Sequence, residues 1–105
     1  MKRDLEKRAA QLAALGHPAR LAILREIVQR GAEGTSTTEL QGKLDIPFTT
    51  LNHHLDRLVD GGLVETRREG KFAFHTAAYD ELRGVTDFLW EDCCKRGKAT
   101  AKECC

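Results

Sequence analysis

The sequence lacks the features that would place it among membrane proteins, secreted proteins or enzymes. No apolar run approaches the ~20 residues that a membrane-spanning helix requires, and the N-terminal segment MKRDLEKRAAQL has no apolar core of a signal peptide. There is no Cys-x-x-Cys motif, no Gly-rich phosphate loop and no nucleophile with a nearby base. We therefore expect a cytoplasmic protein that is not an enzyme and has no membrane partner.

A strong excess of one charge is missing as well. The 17 basic residues nearly balance the 16 acidic ones and give a net charge of +1, whereas a nucleic-acid-binding domain usually carries a basic patch. Basic residues are nevertheless concentrated locally, because Arg67, Arg68 and Lys71 fall close together, with Glu65 and Glu69 among them. This pattern predicts modest, salt-sensitive DNA affinity for a monomer, which a dimer would raise by doubling the phosphate contacts.

The 105-residue chain has the length of one domain, and its apolar spacing predicts helices near both ends. Apolar residues at three- and four-residue steps predict a first helix over residues 5–15. A second is predicted over residues 18–29, since Pro18 suits a first helical turn and Gly31 suits a helix end. The apolar stripe that ends in Cys93 predicts a last helix over residues 78–93.

The segment 36–76 is the most informative part of the chain. Ser36 with Glu39 matches a capping box, which starts a short helix, and Pro47 breaks the helical pattern after it. The next helix runs up to the pair Gly61-Gly62, and its apolar inner face consists of Phe48, Leu51, Leu55, Leu58 and Val59. Strands over residues 63–68 and 71–75 then pair around Gly70. This order predicts a mainly α winged helix-turn-helix with about five helices and two strands, the strands forming a β-hairpin wing.

In this interpretation, the outer face of the helix that begins at Phe48 and the tip of the hairpin contact duplex DNA. Asn52 can pair bidentately with adenine, and Arg57 suits a phosphate better than a base edge. His54 lies at the edge of the apolar face, where packing is favoured over base contact, and His75 is given no role. The predicted DNA-binding residues are Thr49, Thr50, Asn52, His53, Arg57, Arg67, Arg68 and Lys71. Simple solvent exposure is the alternative for Asn52, His53 and the three cations of the wing.

All four cysteines lie near the C-terminus, as the pairs Cys93-Cys94 and Cys104-Cys105. In a reducing compartment, clustered thiols more often bind metals or sense redox state than form structural disulfides. Soft thiolates favour soft acceptors such as Zn²⁺, Cu⁺ and, by the same logic, trivalent arsenic or antimony. The spacing departs from the Cys-x₂₋₄-Cys pairs of zinc ribbons. Two alternatives to a metal site are a thiol oxidation switch and cysteines without a role.

The segments LAALGHPARLAIL (12–24) and TTLNHHLDRLVDGGLVETRREGKF (49–72) resemble the ArsR/SmtB family of small dimeric repressors. The resemblance covers nearly the whole chain. It implies a double-stranded operator DNA as partner and a homodimer formed through the first and last helices. The family's Cys-x-Cys stretch is absent from residues 38–42, and the last helix has no histidine for the zinc-type site. Some arsenic-responsive members place thiols at the end of the last helix, which implies a metal site at Cys93, Cys94, Cys104 and Cys105.

The combined prediction is a transcriptional repressor that releases its operator when trivalent arsenic or antimony binds the C-terminal thiolates. Residues 1–94 would form the winged-helix domain and residues 95–105 a flexible cysteine-containing tail. One alternative keeps the repressor but makes zinc, cadmium, copper or thiol oxidation the signal. The alternative from another class is a thiol metal carrier or redox protein without specific DNA binding.

Overall fold

The computed structural model describes residues 2–97 of the chain. Its five α-helices are α1 (Lys2–Leu15), α2 (Pro18–Arg30), α3 (Thr37–Leu44), α4 (Phe48–Asp60) and α5 (Tyr79–Trp90). Its three strands are β1 (Thr35–Ser36), β2 (Val64–Glu69) and β3 (Phe72–Ala77). The architecture is the predicted winged helix-turn-helix, with α3 and α4 as the helix-turn-helix pair and β2 and β3 as the wing.

The wing belongs to an antiparallel sheet with the order β1-β3-β2. The hairpin is in register from Val64 opposite Ala77 to Glu69 opposite Phe72, and Gly70 takes a φ of 60° in its turn. The third strand, β1, was not predicted, because two residues are too few to show strand alternation. It pairs only Thr35 and Ser36 with β3, and so ties the start of α3 to the base of the wing.

The predicted capping box is present at the start of α3. The Ser36 hydroxyl oxygen accepts a hydrogen bond from the Glu39 backbone N–H at 3.1 Å, and the Ser36 N–H donates to the Glu39 carboxylate at 3.2 Å. These two bonds satisfy backbone groups that the first turn of a helix leaves unpaired. They fix the point at which the chain turns from β1 into the helix-turn-helix.

The core lies between α2, α3 and α4 and is closed by the wing strands and α5. Each of these elements contributes its apolar inner face, and a fully buried aliphatic side chain stabilises the fold by about 1.5–3 kcal/mol. The largest of the fully buried aliphatic side chains are Ile23, Ile27, Leu40, Leu51, Leu58, Leu63, Val64 and Val85. Because α4 supplies residues to the centre of this core, its outer face is held firmly relative to the wing.

The structure corrects the predicted inner face of α4 at two positions. Leu51, Leu55 and Leu58 are buried as expected, but Phe48 is 54% exposed and Val59 is 39% exposed. Successive residues turn by about 100° around a helix, so these two side chains lie at the edge of the apolar stripe. They face the space between α4 and the wing.

The last helix ends earlier than predicted. It stops at Trp90 rather than at Cys93, and the chain continues in tight turns in which Asp92 and Cys94 have positive φ angles of 59° and 61°. Cys93 therefore belongs to a turn after α5 rather than to the apolar stripe of the helix. No helix within residues 2–97 has the length and hydrophobicity needed to cross a bilayer.

Candidate DNA-binding surface and thiol pair

The outer face of α4 carries most of the predicted DNA contacts of the helix. Thr49, Thr50, His53 and Arg57 are exposed, and Asn52 is half-buried at the side that faces the wing. The apolar residues on the opposite side anchor the helix in the core, so these polar side chains are presented on a rigid element. The surface has the form that a helix needs to enter the major groove of duplex DNA.

Charge is distributed unevenly along α4. The first turn, residues 48–51, contains only uncharged side chains, whereas Asp56 and Asp60 are exposed in the later turns. A phosphate backbone repels carboxylates and is attracted by the positive end of the helix dipole at the N-terminus. The N-terminal half of α4 is therefore the part that can approach DNA most closely.

A cleft of about 550 Å³ separates α4 from the wing. Asn52 and Asp56 line it on the helix side, and Arg68 and Lys71 line it on the wing side. Phe48 and Phe72 complete its two walls, with their aromatic rings largely exposed. The structure thus brings together predicted helix and wing contacts around one groove-shaped space.

The third predicted cation of the wing, Arg67, lies in a different environment. Its Nε donates to Glu69 Oε1 at 2.9 Å and its Nη2 donates to the Glu33 carbonyl oxygen at 3.3 Å. The guanidinium carbon also lies 5.3 Å from the centre of the Phe74 ring, within the range of a cation–π contact. These contacts hold Arg67 against the protein, so Arg68 and Lys71 are better placed to contact phosphates.

His75, to which the sequence assigned no role, lies at the base of the wing. Its Nε2 is 2.8 Å from Thr37 Oγ1 and its Nδ1 is 3.0 Å from Thr66 Oγ1. Burial lowers the pKa of this imidazole, and the charge of Arg68 lowers it further. The neutral ring therefore bridges the start of α3 and both wing strands. The contact with Thr66 depends on the exact hairpin register, which places Thr66 opposite His75 and which the sequence did not reveal.

His54 packs inside the molecule, as expected from its place at the edge of the apolar face. Its Nδ1 accepts a hydrogen bond from Arg20 Nε at 3.2 Å, and its ring centre lies 4.7 Å from that of His17. Burial lowers its pKa, with smaller effects from the charges of His17, Arg20 and His53. This histidine joins α4 to the start of α2 and does not face the DNA side of the helix.

The thiol pair Cys93-Cys94 follows α5. Cys93 is half-buried, Cys94 is exposed, and their Sγ atoms lie 3.5 Å apart. The other predicted ligands, Cys104 and Cys105, lie outside the described residues. Within residues 2–97, no group of three or more His, Cys, Asp or Glu side chains is arranged to hold a metal ion. The described part of the chain therefore offers two adjacent sulfur ligands at this end of the molecule.

Known proteins share both the sequence pattern and this fold. The helix-turn-helix domain family matches residues 15–67. The biofilm growth-associated repressor of Agrobacterium fabrum is 37% identical over 94 residues, which cover 86% of this chain and 78% of that protein. An ArsR-like transcriptional regulator from Rhodococcus sp. RHA1 has 28% identity and a TM-score of 0.71, with 81% of this chain and 77% of that one covered. This chain belongs to the ArsR family of winged helix-turn-helix regulators.

A further ArsR-type structure is described as a homodimer. It is the winged helix-turn-helix DNA-binding domain of a possible ArsR-family regulator from Mycobacterium bovis, with 26% identity and a TM-score of 0.68. The match covers 91% of this chain and 89% of that domain. Members of the ArsR family are DNA-binding transcriptional regulators, which confirms that this chain is not an enzyme.

Proposed function

We propose that this ArsR-family protein is a homodimeric repressor that releases its operator DNA when trivalent arsenic or antimony binds its C-terminal cysteine thiolates. The observation that carries the proposal is the close approach of Cys93 and Cys94 at the end of α5. The repressor would act in the cytoplasm, where its operator DNA would lie. Each subunit would place α4 in one half-site of a two-fold operator, with half-site centres about 34–36 Å apart.

The spacing of the two sulfur atoms suits a trivalent metalloid. For a sulfur–metal bond of about 2.3 Å, as in zinc thiolates, the observed 3.5 Å separation corresponds to an angle of about 100° at an atom bound by both thiolates. This is narrower than a tetrahedral angle. Trivalent arsenic binds three thiolates in a pyramid with such narrow angles, because its lone pair occupies the fourth direction. A third thiolate would come from Cys104 or Cys105.

Exposed apolar residues on α1 and α5 support a dimer. In the single chain, Leu5 on α1 and Leu89 and Trp90 on α5 are more than half exposed, and Leu12 on α1 is 37% exposed. A domain of this size buries only about two thirds of its unfolded surface, so covering these side chains with a second copy would add substantially to its stability. The homodimeric domain from Mycobacterium bovis has a similar fold. The thiol pair would then lie directly beside the dimer contact.

A network of partly buried polar contacts offers a route from the thiol end of the molecule to α4. Gln11 on α1 donates from Nε2 to Glu81 Oε1 on α5 at 3.0 Å and to the Gly61 carbonyl oxygen at the end of α4 at 2.9 Å. A ligand that pulls on the end of α5 would therefore act on helices that are bonded to α4. A coupling of ~1–3 kcal/mol would weaken DNA binding about 5–150-fold.

The test is a titration of the reduced protein bound to fluorescent duplex DNA from its own promoter. We expect release at about one arsenite per subunit, since one trivalent arsenic atom occupies three thiolates, and little effect of zinc. The double variant Cys93→Ser with Cys94→Ser should bind the duplex normally but no longer respond. Glu91→Gln, an exposed change beside the pair, is the matched control and should respond like the wild type. Normal release of the double variant by arsenite would refute the thiol assignment.

A second candidate signal is oxidation, which the exposure of Cys94 also favours and which would join Cys93 or Cys94 to a thiol of the pair Cys104-Cys105. Peroxide could oxidise two thiols to one disulfide, with the peroxide oxygens leaving as water. Release of DNA by peroxide but not by arsenite would replace the metalloid with this signal, and release by zinc, cadmium or copper alone would replace it with that metal. A protein that prefers no duplex over bulk DNA would instead fit the thiol carrier or redox alternative.

A further inference from the structure

Phe48 is a largely exposed aromatic residue at the start of α4. It is the first residue of α4, directly before Thr49, and 54% of its surface is exposed. Single apolar residues on a surface need no explanation, but contiguous apolar patches mark interaction sites. Phe48 is not isolated, because the exposed residues Val59 and Phe72 line the same cleft. The apolar surface therefore lies beside the predicted DNA contacts.

The surroundings of Phe48 favour contact with DNA over contact with another protein. Thr49 and Thr50 follow it on α4, and Asn52 lies one helical turn further along the same side. Arg68 and Lys71 lie across the cleft, where they can contact the phosphates that flank a groove. The acidic residues of α4 come only in its later turns, and the one that lines this cleft, Asp56, lies about two turns after Phe48. Any duplex that α4 enters by its N-terminal half must pass close to the Phe48 ring.

An apolar side chain has one specific partner among the base edges of the major groove. Only thymine presents a methyl group there, and contact with Phe is an established way of recognising it. Resting on the proposed repressor function, we propose that Phe48 recognises the 5-methyl group of one thymine in each operator half-site. This contact makes Phe48 a specificity-determining residue, since cytosine, adenine and guanine offer no apolar group at that edge of the groove.

The position of Asn52 limits where this thymine lies. Four residues of helix span about 6 Å along the axis, and successive base pairs are about 3.4 Å apart. The thymine beside Phe48 therefore lies within about two base pairs of the base that Asn52 contacts. The remaining wall of the cleft offers a matched control, because Phe72 has the same residue type and nearly the same exposure, 53%.

The experiment removes single methyl groups from the DNA. A fluorescent duplex is selected from a random library by the full-length wild-type protein, and each thymine is then replaced in turn by uracil, which keeps every hydrogen-bonding group. In each half-site we expect one thymine whose replacement by uracil weakens wild-type binding by about fourfold. This is the effect of losing one buried methyl-sized contact, about 0.8 kcal/mol. Phe48→Ala should bind thymine and uracil duplexes equally at that position. Phe72→Ala should keep the fourfold ratio, whatever its overall affinity.

The outcomes separate this inference from the proposed function. Selection of a duplex by the wild type, with a thymine-to-uracil ratio that Phe48→Ala abolishes, supports the contact. If the wild type selects a duplex but tolerates uracil everywhere, or if Phe72→Ala abolishes the ratio and Phe48→Ala does not, the repressor stands and the role of Phe48 is refuted. If the wild type prefers no duplex at all, both proposals fall. Because the readout is a ratio within each variant, a general loss of affinity or stability does not affect it.

Discussion

The side-chain amide of Gln11 donates a hydrogen bond to the backbone carbonyl oxygen of Gly61 at 2.9 Å. This contact joins α1 to the residue that directly follows α4, although the two residues lie 50 positions apart in the sequence. Gln11 is only 2% exposed, and its Oε1 accepts from Arg8 Nη1 at 3.0 Å. Both the oxygen and the nitrogen of the Gln11 amide are therefore hydrogen-bonded. The amide connects α1, a helix of the proposed dimer interface, to the end of α4, the helix proposed to enter DNA.

Replacement of Gln11 by methionine should destabilise the protein. The change keeps the size of the side chain but removes the donor to Gly61 and Glu81, which leaves polar groups without a partner at a cost of about 1–3 kcal/mol. Urea unfolding followed by circular dichroism measures this loss. The control is Gln29→Met on the exposed surface of α2, which should change stability by less than about 0.5 kcal/mol. If both variants lost the same free energy of unfolding, the hydrogen bonds of Gln11 would not stabilise the fold beyond what an exposed glutamine does.

Glu81 should make the fold sensitive to acid. Hydrogen bonds from Lys7 and Gln11, together with the charges of Lys7 and Arg8, lower the pKa of this carboxyl from 4.5 to about 2. A group with a depressed pKa stabilises the fold fully above its unfolded pKa, and this stabilisation is lost as the pH falls towards the folded one. The wild type should therefore lose stability between about pH 4.5 and about pH 2.

The variant Glu81→Gln tests this dependence. It should be less stable than the wild type at neutral pH, because the ion pairs with Lys7 and Arg8 are gone. Over the acidic range its urea midpoint should fall less steeply, because the titrating carboxyl is absent. Glu65→Gln, an exposed change on β2, provides the comparison and should keep the wild-type slope. A Glu81→Gln slope as steep as that of the wild type would contradict the assignment.

Features that depend on residues close together in the chain were predictable from the sequence. Hydrogen bonds between buried side chains of distant segments were not. The capping box of Ser36 and Glu39 and the inner residues of α4 follow from spacing along a few turns of chain. Gln11 gave no such signal, since its partners lie 50 and 70 positions away and a glutamine one turn after Lys7 and Arg8 resembles a surface residue. A helical wheel also assigns Phe48 to a face without showing how far the neighbouring elements extend to cover it.

His75 should make stability depend on pH in the range around neutrality. Burial lowers its folded pKa below the ordinary value of 6.5, so the unfolded chain binds a proton more readily than the folded one. The stabilisation by the neutral ring is complete above that value and is lost as the pH falls through the folded pKa. We expect the urea midpoint of the wild type to decrease as the pH falls below about 6.5, the ordinary pKa of the group.

Replacement of His75 by glutamine should reduce this decrease. The amide can still bond to a threonine hydroxyl but does not titrate. His54, whose pKa is lowered in the same direction, remains in the variant, so the dependence should become weaker without vanishing. Adding His54→Gln should flatten it further. A His75→Gln protein that keeps the full wild-type decrease would show that the bridge between Thr37 and Thr66 forms with a charged ring as well.

The cations of the wing should contribute unequally to DNA binding. Each phosphate contact that is lost lowers the slope of log K against log salt concentration by about 0.9. Arg68→Gln and Lys71→Gln should each lower the slope by that amount per subunit, because both side chains line the cleft beside α4. Arg67→Gln should lower it less, because Glu69 and the Glu33 carbonyl already engage the Arg67 guanidinium.

Fluorescence anisotropy at several salt concentrations measures these slopes on one duplex. Arg83→Gln serves as the control, since this exposed arginine lies on α5, away from the wing and α4. Its slope should match the wild type. If Arg67→Gln lowers the slope as much as Lys71→Gln, then Arg67 must leave Glu69 and the Phe74 ring to reach the phosphate. The difference between the two variants therefore measures directly whether the wing keeps its conformation when it meets DNA.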